Sequence, residues 1–111
     1  MAVNVRALIA AKQAEAVQTT QYTASGVRTI IDKFTATNTS AGAVTLSVNI
    51  VTSGDTAGSQ NLIVKAKSLA ASETYTFPEM VGQVLEPSGF ISTLAGAATS
   101  ITIRASGREV S

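Results

Sequence analysis

Along residues 43–51 apolar and polar side chains alternate with a period of two. Val44, Leu46, Val48 and Ile50 fall on one face of an extended chain, with Thr45, Ser47 and Asn49 on the other. Residues 27–37 form a second β-prone run, rich in Val, Ile and Thr, and Asn38-Thr39-Ser40-Ala41-Gly42 between the two is a cluster of turn formers. The pair reads as two strands joined by a turn. One conflict sits inside the first: Asp32 falls in phase with Ile30 and Phe34. A β-bulge at Asp32-Lys33 resolves it, because one extra residue re-aims the charge outward.

The same grammar continues downstream. Residues 53–59 are small, polar and Gly-bearing, a loop. Residues 61–67 resume a strand with Leu62, Val64 and Ala66 on one side, and residues 73–77 alternate again with Tyr75 and Phe77 in phase until Pro78. Glu86-Pro87-Ser88-Gly89 is a turn between a short edge strand and the strand 90–95, and residues 100–110 close the chain with Ile101, Ile103 and Ala105 inward. Seven to eight short strands with turns between them, and no βαβ alternation, predict an all-β fold: a single antiparallel β-sandwich or jelly roll. The expected core is Ile30, Phe34, Leu46, Val48, Ile50, Leu62, Val64, Tyr75, Phe77, Leu85, Phe90, Leu94, Ile101 and Ile103.

The first nineteen residues read differently. Ala, Gln and Glu crowd residues 10–18 and favour helix, and Val5, Leu8 and Ile9 follow helical spacing. The division expected is an N-terminal arm or short helix over residues 1–19 and a sandwich over 20–111. Val5, Leu8, Ile9 and Val17 are the apolar residues such an arm would use to dock onto a neighbour.

Composition narrows the function classes. The 111 residues suffice for one domain, and with no Cys and no His there is no disulfide, no usual zinc or haem ligand and no nucleophile–His pair. Net charge is +1, which leaves no footprint for nucleic acid or an acidic membrane. Charged residues make up 14% of the chain, well below the usual quarter or so, and mean hydropathy is +0.28. So little charge on so small a domain leaves two readings: part of the surface is covered by partners, the expectation adopted, or an Ala/Thr/Ser-rich surface stays in water because its apolar groups are small and scattered. The apolar stretch at residues 7–11 is too short for a signal-peptide core or a membrane span, so cytoplasmic synthesis and assembly are expected.

No catalytic constellation emerges. Lys65 and Lys67 read as a solvated edge-strand guard, and the spacing of Asp32, Glu73, Glu79 and Glu86 selects no carboxylate pair. Asp55 alone cannot build a calcium site, and the loop around it lacks the ending of a phosphate-binding loop. The expectation is a non-enzyme with no catalytic, cofactor-binding or metal-binding residues and no cofactor.

Several stretches carry a resemblance. Tyr22-Thr23-Ala24, the run from Ile30 through Asn38-Thr39-Ser40-Ala41 to Val44-Thr45-Leu46, Leu69-Ala70-Ala71-Ser72-Glu73-Thr74-Tyr75, Val84-Leu85-Glu86-Pro87-Ser88-Gly89-Phe90-Ile91-Ser92 and Ile101-Thr102-Ile103-Arg104-Ala105-Ser106-Gly107 resemble small virion structural proteins of tailed bacteriophages. Pro87-Ser88-Gly89-Phe90 departs from the hairpin text of that group. The likeness spans roughly residues 20–111 and transfers no functional residue. It implies a capsid decoration or cement subunit located in the virion, or alternatively a neck, tail or head-fibre accessory subunit. Its partners would be copies of itself, a trimer or larger ring being compatible, and virion proteins such as the major capsid protein, with no nucleic acid and no membrane. A glycan-binding module is a further alternative, disfavoured by the absence of Trp and by a tyrosine inventory of Tyr22 and Tyr75 alone.

Overall fold

The computed structural model describes residues 2–111. Among them lie nine strands: β1 (Val3–Gln13), β2 (Thr19–Thr23), β3 (Arg28–Asn38), β4 (Val44–Val51), β5 (Leu62–Leu69), β6 (Thr74–Thr76), β7 (Val84–Leu85), β8 (Phe90–Ala95) and β9 (Ile101–Val110), with one 3-10 turn at Ser59–Asn61. They build two antiparallel sheets. The first runs β1-β9-β3-β6, with β7 also paired to β3, and the second runs β2-β8-β4-β5. The pairs β1–β9, β2–β8, β3–β6/β7 and β4–β5 are those of one long hairpin rolled into two layers, so the sandwich has jelly-roll order with β6 and β7 sharing a single place.

The inner faces of the sheets supply the core. Phe34 and Phe77 meet edge-to-face at 5.3 Å, and Tyr75 meets Phe77 at 4.7 Å. Each such pair adds about 1 kcal/mol beyond the area it buries. Ile31, Leu46, Val48, Met80, Leu85, Ile91, Ile101 and Ile103 complete the buried centre. Of the core expected from sequence, Phe34, Leu46, Val48, Val64, Phe77, Leu85, Ile101 and Ile103 are buried. Ile50 and Tyr75 are partly buried against that core.

Three strands depart from the expected phase, each for a local reason. The β3 bulge is present at Asp32: Ile31 pairs with Gly107 and Lys33 with Ser106, leaving Asp32 unpaired between them. Its effect is to put Thr29 and Ile31 inward before the bulge and Phe34, Ala36 and Asn38 after it, so Ile30 faces outward. In β8 the inward residues are Ile91, Thr93 and Ala95, while Phe90 is only half-buried and Leu94 is exposed. A polar residue is tolerated inside because the Gln21 side-chain amide donates to Thr93 Oγ1 at 2.9 Å. In β5 a register shift opposite Ser47 breaks the alternation. Ala66 takes a positive φ of 47° there, and its N–H donates to Ser47 Oγ at 2.9 Å. Ala66 is therefore exposed and Leu62 only half-buried.

The N-terminal residues are neither a separate arm nor a helix. β1 is an eleven-residue strand running antiparallel along β9, from Val3 opposite Val110 to Gln13 opposite Thr102. Residues 3–13 thus do not stand apart from the sandwich as an arm, because β1 forms an edge strand of the first sheet. Tertiary pairing overrides the helical propensity of its Ala and Gln residues.

Candidate docking surface

Two polar networks fasten the frame. Asn38 is wholly buried at the end of β3 and donates to the Gly42 and Leu69 carbonyls at 2.8 and 2.9 Å. Its own Oδ1 accepts from Ser40 N–H at 2.9 Å, the Asx geometry that sets the β3–β4 turn. Near the opposite end of β3, the Tyr22 hydroxyl donates to Glu109 and lies 2.7 Å from Thr29 Oγ1, and Arg6 bridges Glu109 at 3.1 Å. This cluster ties β1, β2, β3 and β9 together between the sheets. Burial, and then the hydrogen bond to the Glu109 carboxylate, push the Tyr22 phenol up to about 12. Tyr22, Thr29 and Glu109 satisfy one another, with Arg6 reaching Glu109 from the solvent side, so the network acts as a clasp between strands.

The carboxylates singled out by sequence lie apart. Asp32 takes a two-pronged ion pair from Arg108, closest at 2.9 Å, and Glu86 pairs with Arg28 at 2.7 Å. Glu73 accepts from the Ala70 N–H at 2.7 Å, and Glu79 receives the Tyr75 hydroxyl at 3.4 Å. Asp55 is held below the usual carboxylate range by the Thr56 N–H and then by Gln60 within its own loop. Lys67 reaches over the Tyr75 ring at 4.5 Å, a cation–π contact in place of a plain solvated guard. Among the described residues no group of three acidic, His or Cys side chains could hold a metal, and no helix is long and apolar enough to cross a membrane.

The four residues expected to dock a partner divide three ways. Leu8 and Ile9 are 6% and 2% exposed and belong to the chain's own core, because β1 packs on the sandwich it was expected to leave. Val17 is exposed in the β1–β2 connection, beyond the Gln13 end of β1, and Val5, 78% exposed, lies near its other end. Val5 has company that the sequence did not reveal. Residues directly opposite on neighbouring strands share a face, so the register lines up Val5, Arg108, Ile30 and Val84 as one outward row across β1, β9, β3 and β7. Val3, Val110 and Arg28 form the adjoining row. Val3, Val5 and Val84 are all more than 40% exposed, so the outer face of the first sheet carries a strip of apolar side chains interrupted by Arg108, which is paired with Asp32. On β4, by contrast, Thr45 and Ser47 are half-buried polar residues, and Asn49 is buried and donates to the Gly58 carbonyl at 3.0 Å and to Asn61 Oδ1 at 2.7 Å.

Further along the same outer face the next residues are Lys33 and Thr35 on β3, opposite Ser106 and Arg104 on β9. These four line a shallow depression of about 170 Å³. Sequence reasoning missed both the strip and the depression, since each exists only once β1, β3, β7 and β9 lie side by side. No protein-family model matches the chain, and neither does any curated protein or solved structure.

Proposed function

We propose that the chain is a non-enzymatic structural subunit of a tailed-bacteriophage virion, a decoration or cement protein that docks on the particle through the outer face of its β1-β9-β3 sheet. The observation that carries the docking is the strip of Val3, Val5, Ile30, Val84 and Val110. An apolar row left on the outside of a small sandwich gains from being covered, at about 25 cal/mol for each Å² removed from water. The virion setting rests on the sequence resemblance, and the low charge agrees with a subunit that works by packing.

Quantitative mass spectrometry of purified particles tests this reading. Copy number near that of the major capsid protein supports a decoration role over the shell, and a few copies per particle moves the subunit to the neck, tail or a head fibre. Absence from the particle overturns the reading. Val5→Asp is the matched variant: 78% exposed, it should leave the melting temperature unchanged while lowering particle occupancy.

A further inference from the structure

Lys33, Thr35, Arg104 and Ser106 form a square on the outer face of the first sheet. Lys33 sits opposite Ser106, and Thr35 opposite Arg104, which puts the two cations on a diagonal. Like charges so placed repel. The carboxylate adjacent in sequence, Asp32, is already taken by Arg108. Among the described residues neither cation has an ion pair, and neither hydroxyl makes a side-chain hydrogen bond. The surrounding side chains are short: Ala7 pairs with Ser106, and Thr76 with Thr35. The result is a floor of small residues with two long cations and two hydroxyls at its margin. It encloses about 170 Å³, room for a carboxylate and a few waters.

We infer that this square is a carboxylate-binding subsite that receives an acidic side chain of the partner subunit, seated beside apolar residues that cover the Val5–Ile30 strip. The inference rests on the docking face proposed above and names the chemistry that face recognises. Four donors with no acceptor of their own match the lone pairs of one carboxylate, and the Arg104 guanidinium suits it in particular. Charge complementarity chooses an acid, and the adjoining row chooses a protein. A polyanion such as nucleic acid or a sulfated glycan would offer repeated charge to a site with only two unneutralised cations, and nothing to cover the valines.

The full chain is titrated with sodium acetate and, separately, glutarate at constant ionic strength, and the NMR signals of the four residues are followed with sodium chloride as the reference. Saturable shifts confined to the square, abolished in Lys33→Gln and Arg104→Gln, support the subsite. Shifts no different from those with chloride overturn it, whatever the particle data show. The same two variants are then compared for particle occupancy. A fall of about tenfold at unchanged melting temperature supports a partner carboxylate in the square. Unchanged occupancy, or tighter binding of heparin or an oligonucleotide than of the particle, overturns that assignment. If the chain is absent from the particle, the virion reading and the partner assignment fall together, while the titration still decides whether the square binds carboxylate.

Discussion

Gly107→Ala probes the tightest of the approaches that the glycines permit. Gly107 lies on β9 opposite Ile31, where Asp32 bulges out of β3. A Cβ at that position would meet the Ile30 carbonyl oxygen at 2.2 Å and Leu8 Cδ1 at 2.7 Å. Ordinary carbon–oxygen approaches stop at about 3.3 Å, so the new methyl overlaps a backbone atom by about 1 Å. That oxygen cannot retreat cheaply, because β3 is held by β9 on one side and on the other by the Gln83 carbonyl and the Gly82 N–H, each bonded to Ile31. Overpacking of this kind costs about 1–3 kcal/mol, and displacing ladder bonds brings the expectation to about 3 kcal/mol. With an unfolding entropy of about 2.1 cal/mol/K per residue, that lowers the melting temperature by about 10–15 °C. Gly42→Ala is the control: nothing lies within 4 Å of its added Cβ, and reduced freedom of the unfolded chain should raise stability slightly. Calorimetry on the three proteins decides. A Gly107→Ala melt within about 2 °C of the parent would refute the close packing of β3 on β9.

Other consequences are equally direct. Leu8→Ala should cost about 2–4 kcal/mol in urea unfolding, and removal of residues 2–13 should abolish cooperative folding, because β1 buries Leu8 and Ile9 in the chain's own core; a cooperatively folded truncation would restore the detached arm. Asn38→Ala should lose about 2 kcal/mol, since the Leu69 carbonyl and the Ser40 N–H would both lose their partner; chemical denaturation reads it. For Tyr22, the folded phenol near 12 stands above its ordinary value of 10, so the unfolded chain releases this proton first as pH rises. Its stabilisation is complete below pH 10 and is lost toward pH 12. A stability–pH curve should therefore fall less steeply over that window in Tyr22→Phe than in the parent, and coincident slopes would remove the claim.

The strand character of residues 27–110 was legible because it is a local property. Period-two alternation, β-branched runs and Gly, Asn or Pro punctuation do not depend on what the strand later packs against. The turn at Asn38 and the bulge at Asp32 were legible for the same reason: each answers a conflict or a signal contained within a few residues. Strand β1 was not, although Val3, Val5 and Ala7 alternate with Asn4 and Arg6. The helix-favouring Ala and Gln residues that follow outweighed that short signal, and pairing with β9, about a hundred residues away, decided the matter.

Phase and surface belong to the tertiary structure. A bulge reverses which neighbour faces inward, so Ile31 rather than Ile30 enters the core, and Thr93 stays inside because Gln21 on another strand satisfies it. The proposed docking face is a further step removed. Val5, Ile30 and Val84 are ordinary residues scattered across most of the chain, and Lys33 and Arg104 are seventy-one positions apart. By itself the sequence determined an antiparallel sandwich of low charge. Only the strand order β1-β9-β3 decided that Val3, Val5 and Ile30 share one outer face with Lys33 and Arg104, because sheet register is a long-range pairing that no local window contains.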